Sequence, residues 1–280
     1  MTDAPFIAHM GAVEFLECLD EGSVDAVITD PPYAEVDRHY GRLTELEWRA
    51  LMDAVVPEVR RVLKPTGSGV FILQPNSERV GRMRPWLFRW IADMCTEWNM
   101  VQDAYWWNHV ALPSGGANQH GLLRPSVKPC VWLGQPNCYR DQTSVLGEPS
   151  DTQRKRMANL DKQSAKSVYS PAGLETNYRR SAEATIRRGG TTPFNCLPFG
   201  PRGGPHRASD HGHGAGTPYN LAAWWVRYIS PPGGLVVDPF AGTGTKGWAA
   251  LDQGRRWCGA DSDPQWKNED GLMVPVKPAS

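Results

Sequence analysis

The chain has 280 residues, 40% of them hydrophobic, and thirty basic side chains balance thirty acidic ones. That apolar content suffices for the core of one α/β domain with an inserted lobe and excludes a wholly disordered polar chain. No apolar run approaches the ~18 residues of a membrane span, and Met1 to Pro5 lacks the basic start and long apolar stretch of a secretory signal, so a cytoplasmic address is expected.

In chain order, Val24 to Thr29 reads as an apolar strand closing in Asp30-Pro31-Pro32-Tyr33. The two prolines fix φ and remove backbone donors, leaving carbonyl oxygens as acceptors at the mouth of the strand. An exocyclic amine offers two N–H donors. Asp30 can take one and the Pro31 carbonyl the other, drawing the nitrogen lone pair out of conjugation, while Pro32 shapes the turn and Tyr33 stacks on the ring. Such equipment suits methyl transfer to a base amine. The plain alternative is a Pro-Pro turn with Asp30 as a cap and Tyr33 as core.

Thr44 to Leu63 reads as a helix, with Thr44 as N-cap and Glu47 completing a capping box. A buried strand is expected over Gly69 to Leu73 and a second helix over Ser77 to Cys95. Trp106-Trp107 and Trp224-Trp225 are read mainly as packing residues. From Pro113 to Thr217 the chain is rich in Gly, Ser, Thr and Pro, and it carries fourteen Lys or Arg against seven acids, a net of +7. A segregated basic segment suits a phosphate-tracking surface, with Arg154-Lys155-Arg156, Arg179-Arg180 and Arg187-Arg188 as candidate DNA contacts. A solvated loop is the bland alternative. Cys196, His206, His211 and His213 fit no common zinc spacing, so no metal site is expected. The six cysteines contain no C-x-x-C pair and are read as reduced buried thiols.

A helix over Tyr219 to Ile229 precedes a strand, Leu235 to Asp238, which runs into Pro239-Phe240-Ala241-Gly242-Thr243-Gly244-Thr245. A helix over Thr243 to Gln253 and a strand over Arg256 to Ala260 follow, the latter ending in Asp261. Glycines 242 and 244 let backbone approach a ligand at the carboxyl end of a sheet strand, and an acid one strand further on suits a ribose diol. Neither G-x-x-x-x-G-K-[ST] nor G-x-G-x-x-G is present, so the pair describes a nucleoside site without a phosphate demand. The tail from Asp263 reads as irregular. Alternating strands and helices at both ends of the chain argue a mostly parallel sheet with helices on both faces.

With both motifs in this order, the chain resembles the S-adenosylmethionine-dependent DNA amino methyltransferases of the permuted, beta-class arrangement. The likeness covers roughly residues 6–112 and 218–266. It implies a Rossmann-like, doubly wound fold made of a catalytic half (1–112), an inserted target-recognition region (113–217), and a cofactor-binding half with its tail (218–280). It also implies S-adenosyl-L-methionine as cofactor, with Gly11, Pro218, Leu221, Asp238, Phe240, Gly242, Thr243, Gly244 and Asp261 around it. Thr217 stands where the family often has Lys before the proline, His109 closes a pattern usually read Trp-Asn-Lys, and Met10-Gly11 or Gly11-Ala12 replaces a Gly-Asp pair. The implied partner is double-stranded DNA, with the target base flipped from the stack. Adenine N6 is favoured over cytosine N4 because cytosine enzymes more often carry Ser where Asp30 stands. An RNA adenine methyltransferase and a catalytically silent nucleic-acid-binding protein are the other readings. Monomer and homodimer are both open, as is a companion restriction enzyme.

Overall fold

The sheet is built outward from β-branched and aromatic runs, whose side chains fit a pleated surface buried on both faces. A computed structural model describes residues 5–38, 41–110, 119–162, 168–169, 175–201, 216–263 and 272–273. The strands are β1 (Phe6–His9), β2 (Val24–Thr29), β3 (Leu63–Ile72), β4 (Ser77–Arg79), β5 (Arg82–Met83), β6 (Met100–Gln102), β7 (Tyr105–Trp107), β8 (Val127–Gly134), β9 (Val168–Tyr169), β10 (Glu175–Thr176), β11 (Cys196–Pro198), β12 (Leu235–Asp238), β13 (Arg256–Asp261) and β14 (Leu272–Met273). The helices are α1 (Ala12–Glu17), α2 (Glu45–Val62), α3 (Trp86–Glu97), α4 (Asp151–Ala158), α5 (Tyr178–Arg188), α6 (Tyr219–Ile229) and α7 (Thr245–Asp252).

The chain divides into two units, Met1–Arg140 with Asn195–Ser280, and Asp141–Phe194. The first holds a sheet of order β11-β7-β8-β3-β2-β12-β13-β1-β14, with β6 also pairing β8. Its centre, from β3 through β2, β12 and β13 to β1, is parallel, whereas β8 runs antiparallel to β3. This is the expected doubly wound architecture. The carboxyl ends of β2 and β12 lie side by side, because Val27 is in register with Val237. The order of strands therefore sets Asp30 beside the glycine-rich loop, although some two hundred residues separate them in sequence.

Alternate residues of each strand feed opposite faces of the sheet. Phe71 and Leu73 pack with Phe15, Leu16, Trp48, Met52, Trp86 and Trp90 from α1, α2 and α3. Val70 and Ile72 pack on the other side with Leu221, Trp225, Val226 and Ile229 from α6. The capping box at Thr44 and Glu47 forms as expected, with the Thr44 hydroxyl accepting from the Glu47 amide. Asp25 sits at a register shift in β2. Its buried carboxylate accepts from Lys64 Nζ at 2.9 and 2.8 Å and from the Leu235 amide at 2.8 Å, tying three strands together.

Three expected elements differ. Strand β3 runs from Leu63 to Ile72 rather than from Gly69 to Leu73. Ser77 to Met83 is a hairpin of β4 and β5 rather than the first turns of a helix, because Gly81 takes a left-handed φ of 73° and Pro85 disfavours helix at the residue before it. Helix α3 starts only at Trp86. Helix α7 starts at Thr245 rather than Thr243, since its N-cap Gly244 has a φ of 72°. Within residues 113–217, β8 belongs to the main sheet while Asp141–Phe194 forms the second unit. That unit contains α4, α5, and the short β9–β10 pair. No helix among the described residues is long and apolar enough to cross a membrane.

Candidate active site

The six residues of β2 are all buried, so the strand delivers Asp30 rigidly to the edge of the core. The Asp30 carboxylate is gripped on both oxygens. The Tyr33 hydroxyl donates to Oδ1, and the Thr217 hydroxyl donates to Oδ2 at 3.0 Å. A carboxylate has about four lone-pair sites, so each oxygen retains one for an incoming N–H. Among the described residues no donor meets the Pro31 carbonyl, whereas the Pro32 carbonyl accepts from Trp48 Nε1 at 2.7 Å. Asp30 and the Pro31 carbonyl thus keep acceptor capacity at the strand mouth.

Tyr33 departs from the expectation. Its ring is only 7% exposed and packs in the core, so in this conformation it offers little stacking face, and its hydroxyl instead holds Asp30. The loop beyond is braced. Asn76 donates to the Ala34 carbonyl at 2.6 Å and accepts from Trp86 Nε1 at 2.9 Å. Glu35 is held at a φ of 60°, its carboxylate bonded to Arg42 and to the Glu45 amide. The Arg42 hydrogen bond holds the Glu35 carboxyl below its ordinary range. Lys128, from β8, donates to the Tyr33 hydroxyl at 3.2 Å, and its ammonium lies 4.8 Å from the centre of the Trp106 ring. Burial lowers its pKa, against the pull of Asp30. Sequence reasoning missed Lys128, Asn76 and Trp48 because their roles come from strand and helix packing across 16 to 95 residues, with no local motif to announce them.

The glycine-rich loop is anchored from below. Asp238 has 0% exposure. Its Oδ1 accepts from the Thr29 hydroxyl at 2.8 Å and the Phe240 amide at 3.1 Å, and its Oδ2 pairs with Lys246 Nζ at 2.9 Å. Burial pushes the carboxyl up, while Lys246 and Thr29 pull it back. Asp238 and Lys246 thus shape the loop rather than face a ligand, and Leu221, also fully buried, is core rather than a contact. Pro218 is the buried N-cap of α6. Phe240, Gly242 and Thr243 remain partly open to solvent, and Gly244 is buried in the turn. Asp261 takes the Gly242 amide on Oδ2 at 2.8 Å and the Asp263 amide on Oδ1 at 2.9 Å.

This arrangement fits a nucleoside. A Cβ on Gly242 or on the exposed Gly11, at the N-cap of α1, would meet nothing within 4 Å, so space lies over both backbones. Asp261 keeps a lone pair on each oxygen for a ribose diol. The cation of the loop, Lys246, is spent on Asp238, which agrees with a ligand lacking phosphates. Helix α7 lies close to β13 because Gly247 has no side chain; a Cβ there would fall 2.6 Å from the Trp257 ring.

The candidate DNA contacts fall in the second unit. Arg154 pairs with Glu148 at 3.1 Å, Arg179 with Glu183 at 3.0 Å, and Arg188 bonds Gln142 and Thr192. Arg156 lies over the Tyr178 ring at 4.4 Å. Lys155, Arg180 and Arg187 are exposed and meet no acceptor among the described residues. His206, His211 and His213 lie outside the described residues, as does most of the tail. The six cysteines are free, but only Cys130, Cys138 and Cys258 are buried; Cys18 and Cys95 are exposed, contrary to the expectation of core thiols throughout.

A doubly wound sheet with a phosphate-free nucleoside loop beside an acid-Pro-Pro-aromatic strand end defines a class I methyltransferase fold. The comparisons agree. A family model described as DNA methylase, for N6 and N4 enzymes, matches residues 24–269. The chain therefore belongs to the S-adenosylmethionine-dependent DNA amino methyltransferases acting at adenine N6 or cytosine N4. It is 26% identical over 272 residues to the type II methyltransferase M.PvuII of Proteus hauseri, covering 91% of this chain and 79% of that one. The solved PvuII DNA methyltransferase, described as cytosine-N4-specific, superimposes with a TM-score of 0.67 at 22% identity, covering 91% and 80% of the two chains. TTHA0409 of Thermus thermophilus, solved with S-adenosyl-L-methionine, gives 0.54 at 24% identity over 92% and 89%. The M1.HpyAVI complex gives 0.55 at 18% identity over 94% and 95%.

Proposed function

We propose that the chain methylates the N6 amine of adenine in double-stranded DNA, with Asp30 and the Pro31 carbonyl as the acceptors that hold the amine. The observation that carries this reading is the Asp30 carboxylate, fixed by two hydroxyls at the strand mouth beside the glycine-rich loop. Bound at that loop, with Asp261 on its ribose, S-adenosyl-L-methionine supplies an electrophilic methyl group. Asp30 accepts one amine N–H and Pro31 the other, which turns the nitrogen lone pair out of the ring plane. As positive charge develops on the nitrogen, the nearby carboxylate stabilises it, and the Tyr33 and Thr217 hydroxyls keep that carboxylate from rotating. The target base reaches the pocket by leaving the stack.

The second unit is the target-recognition region in this reading. Lys155, Arg180 and Arg187, exposed and without an acceptor among the described residues, are its strongest candidates for phosphate contact, ahead of the arginines already held by neighbouring acids. Cytosine N4 is the second reading, favoured by the likeness to a methyltransferase described as cytosine-N4-specific. Adenine is preferred because the acid at position 30 is Asp. Duplex DNA treated with the purified chain and labelled cofactor, digested to nucleosides and separated by mass, decides the base. N6-methyladenine supports the proposal, N4-methylcytosine replaces it with the second reading, and label in neither sinks both.

A further inference from the structure

A phenol can donate one hydrogen bond and accept others, so its neighbours decide where its proton points. Around Tyr33 the neighbours are unequal. Asp30 can only accept, and Lys128, while charged, can only donate. The Lys128 ammonium lies 3.2 Å from the Tyr33 oxygen, 5.3 Å from the centre of the same ring, and 4.8 Å from that of Trp106. Trp106 is itself fixed by its Nε1 bond to the Phe199 carbonyl at 2.8 Å. The cation therefore sits beyond the Tyr33 hydroxyl and against the Trp106 ring, which favours a positive charge where water is scarce.

We propose that Lys128 is a positioning residue for methyl transfer: its ammonium occupies the Tyr33 oxygen, commits the phenolic proton to Asp30, and so fixes the carboxylate for the incoming amine. The inference rests on the reading of Asp30 as the acceptor at the target amine. A neutral Lys128 would itself accept a hydrogen bond and compete with Asp30 for the Tyr33 proton. The groups facing it are Asp30, Tyr33 and Arg38 from the segment after β2, Trp106 from β7, and Cys130 on its own strand. Burial lowers the ammonium below the ordinary lysine range, Asp30 opposes that shift and Arg38 adds to it. Cys130 stays a neutral thiol, pushed up to about 12 by burial. Turnover is then expected to fall on the alkaline side at a pH below that of an exposed lysine.

The test is the single-turnover rate of methyl transfer to duplex DNA as a function of pH, with DNA and cofactor affinities measured separately. Lys128→Met should lower the rate about tenfold, the scale of one charge-assisted hydrogen bond, with both affinities unchanged. Lys128→Arg keeps a charge that cannot be removed, so it should restore most of that rate and abolish the alkaline fall. In a Tyr33→Phe background, Lys128→Met should have no further effect, because the phenolic proton it directs is gone. A wild-type rate and profile in Lys128→Met would overturn the proposal, as would a full tenfold loss in the Tyr33→Phe background. If Lys128→Met does not fold, an alkaline fall retained in Lys128→Arg overturns it alone. Asp30→Ala separates the two levels: an active Asp30→Ala removes the underlying reading, while an inactive one beside a fully active Lys128→Met removes only the role of Lys128.

Discussion

Replacing Lys246 by Met tests whether the glycine-rich loop is built on a buried ion pair. Lys246 is 5% exposed and Asp238 is 0% exposed, so the substitution strands a carboxylate oxygen whose cationic partner had been 2.9 Å away. Two hydrogen bonds survive, from Thr29 and from the Phe240 amide, but both reach the other oxygen. Removing one member of a buried pair costs about 3–5 kcal/mol, because the remaining charge is left uncompensated. Against a typical total of roughly 5–15 kcal/mol, that is a large fraction of the stability. Urea unfolding should register it as a lower midpoint at unchanged slope. The double substitution Asp238→Asn with Lys246→Met removes both charges and should recover part of the loss, leaving the pair non-additive. A Lys246→Met protein within about 1 kcal/mol of wild type, below the cost of breaking a buried pair, would refute the reasoning.

Three further outcomes follow from the same contacts. Asp261→Ala should weaken S-adenosyl-L-methionine binding by about 10- to 100-fold in calorimetry, since the ribose loses a charged acceptor and the Gly242 amide its partner; an unchanged Kd contradicts the assignment. Thr217→Val keeps the buried shape and removes the donor to Asp30 Oδ2, so the single-turnover rate should fall about tenfold while cofactor affinity holds; an equal loss in affinity would point to the cofactor side instead. Replacing Lys155, Arg180 and Arg187 together by Ala should weaken cognate and unrelated duplexes alike and flatten the slope of log affinity against log salt by about 0.9 per lost phosphate contact. An unaltered slope would make these residues a solvated surface.

Much of the fold was legible because the relevant signals are local. Val24–Thr29, Tyr219–Ile229 and Leu235–Asp238 have the bounds their apolar runs suggest, and the capping box at Thr44 marks the start of α2. The Ser77–Met83 hairpin gives no strand signal because its residues carry no alternation, and its turn depends on a single left-handed glycine. Strand β8 lies in a region whose composition dominates the reading, although Cys130 to Leu133 is an unbroken buried run. At the site, Asp30 and the glycines announced themselves through unusual residue types at strand ends. The inward turn of Asp238 and the hydroxyl role of Tyr33 did not, because both depend on partners brought in by the sheet: Thr29 beside β12, and Lys128 from β8. Thr217, a departure from the family pattern in sequence, acquires a purpose only when its hydroxyl is seen on Asp30.

The most direct test of the central claim compares the wild-type chain with Asp30→Ala on duplex DNA and isotopically labelled S-adenosyl-L-methionine. Methylated nucleosides are identified by mass, and binding of DNA and cofactor is measured alongside. The account predicts label on adenine N6 with the wild type, and in Asp30→Ala a loss of most methyl transfer with both affinities retained. Normal turnover in Asp30→Ala would contradict it, because the carboxylate at the mouth of β2 would then have no part in holding the amine.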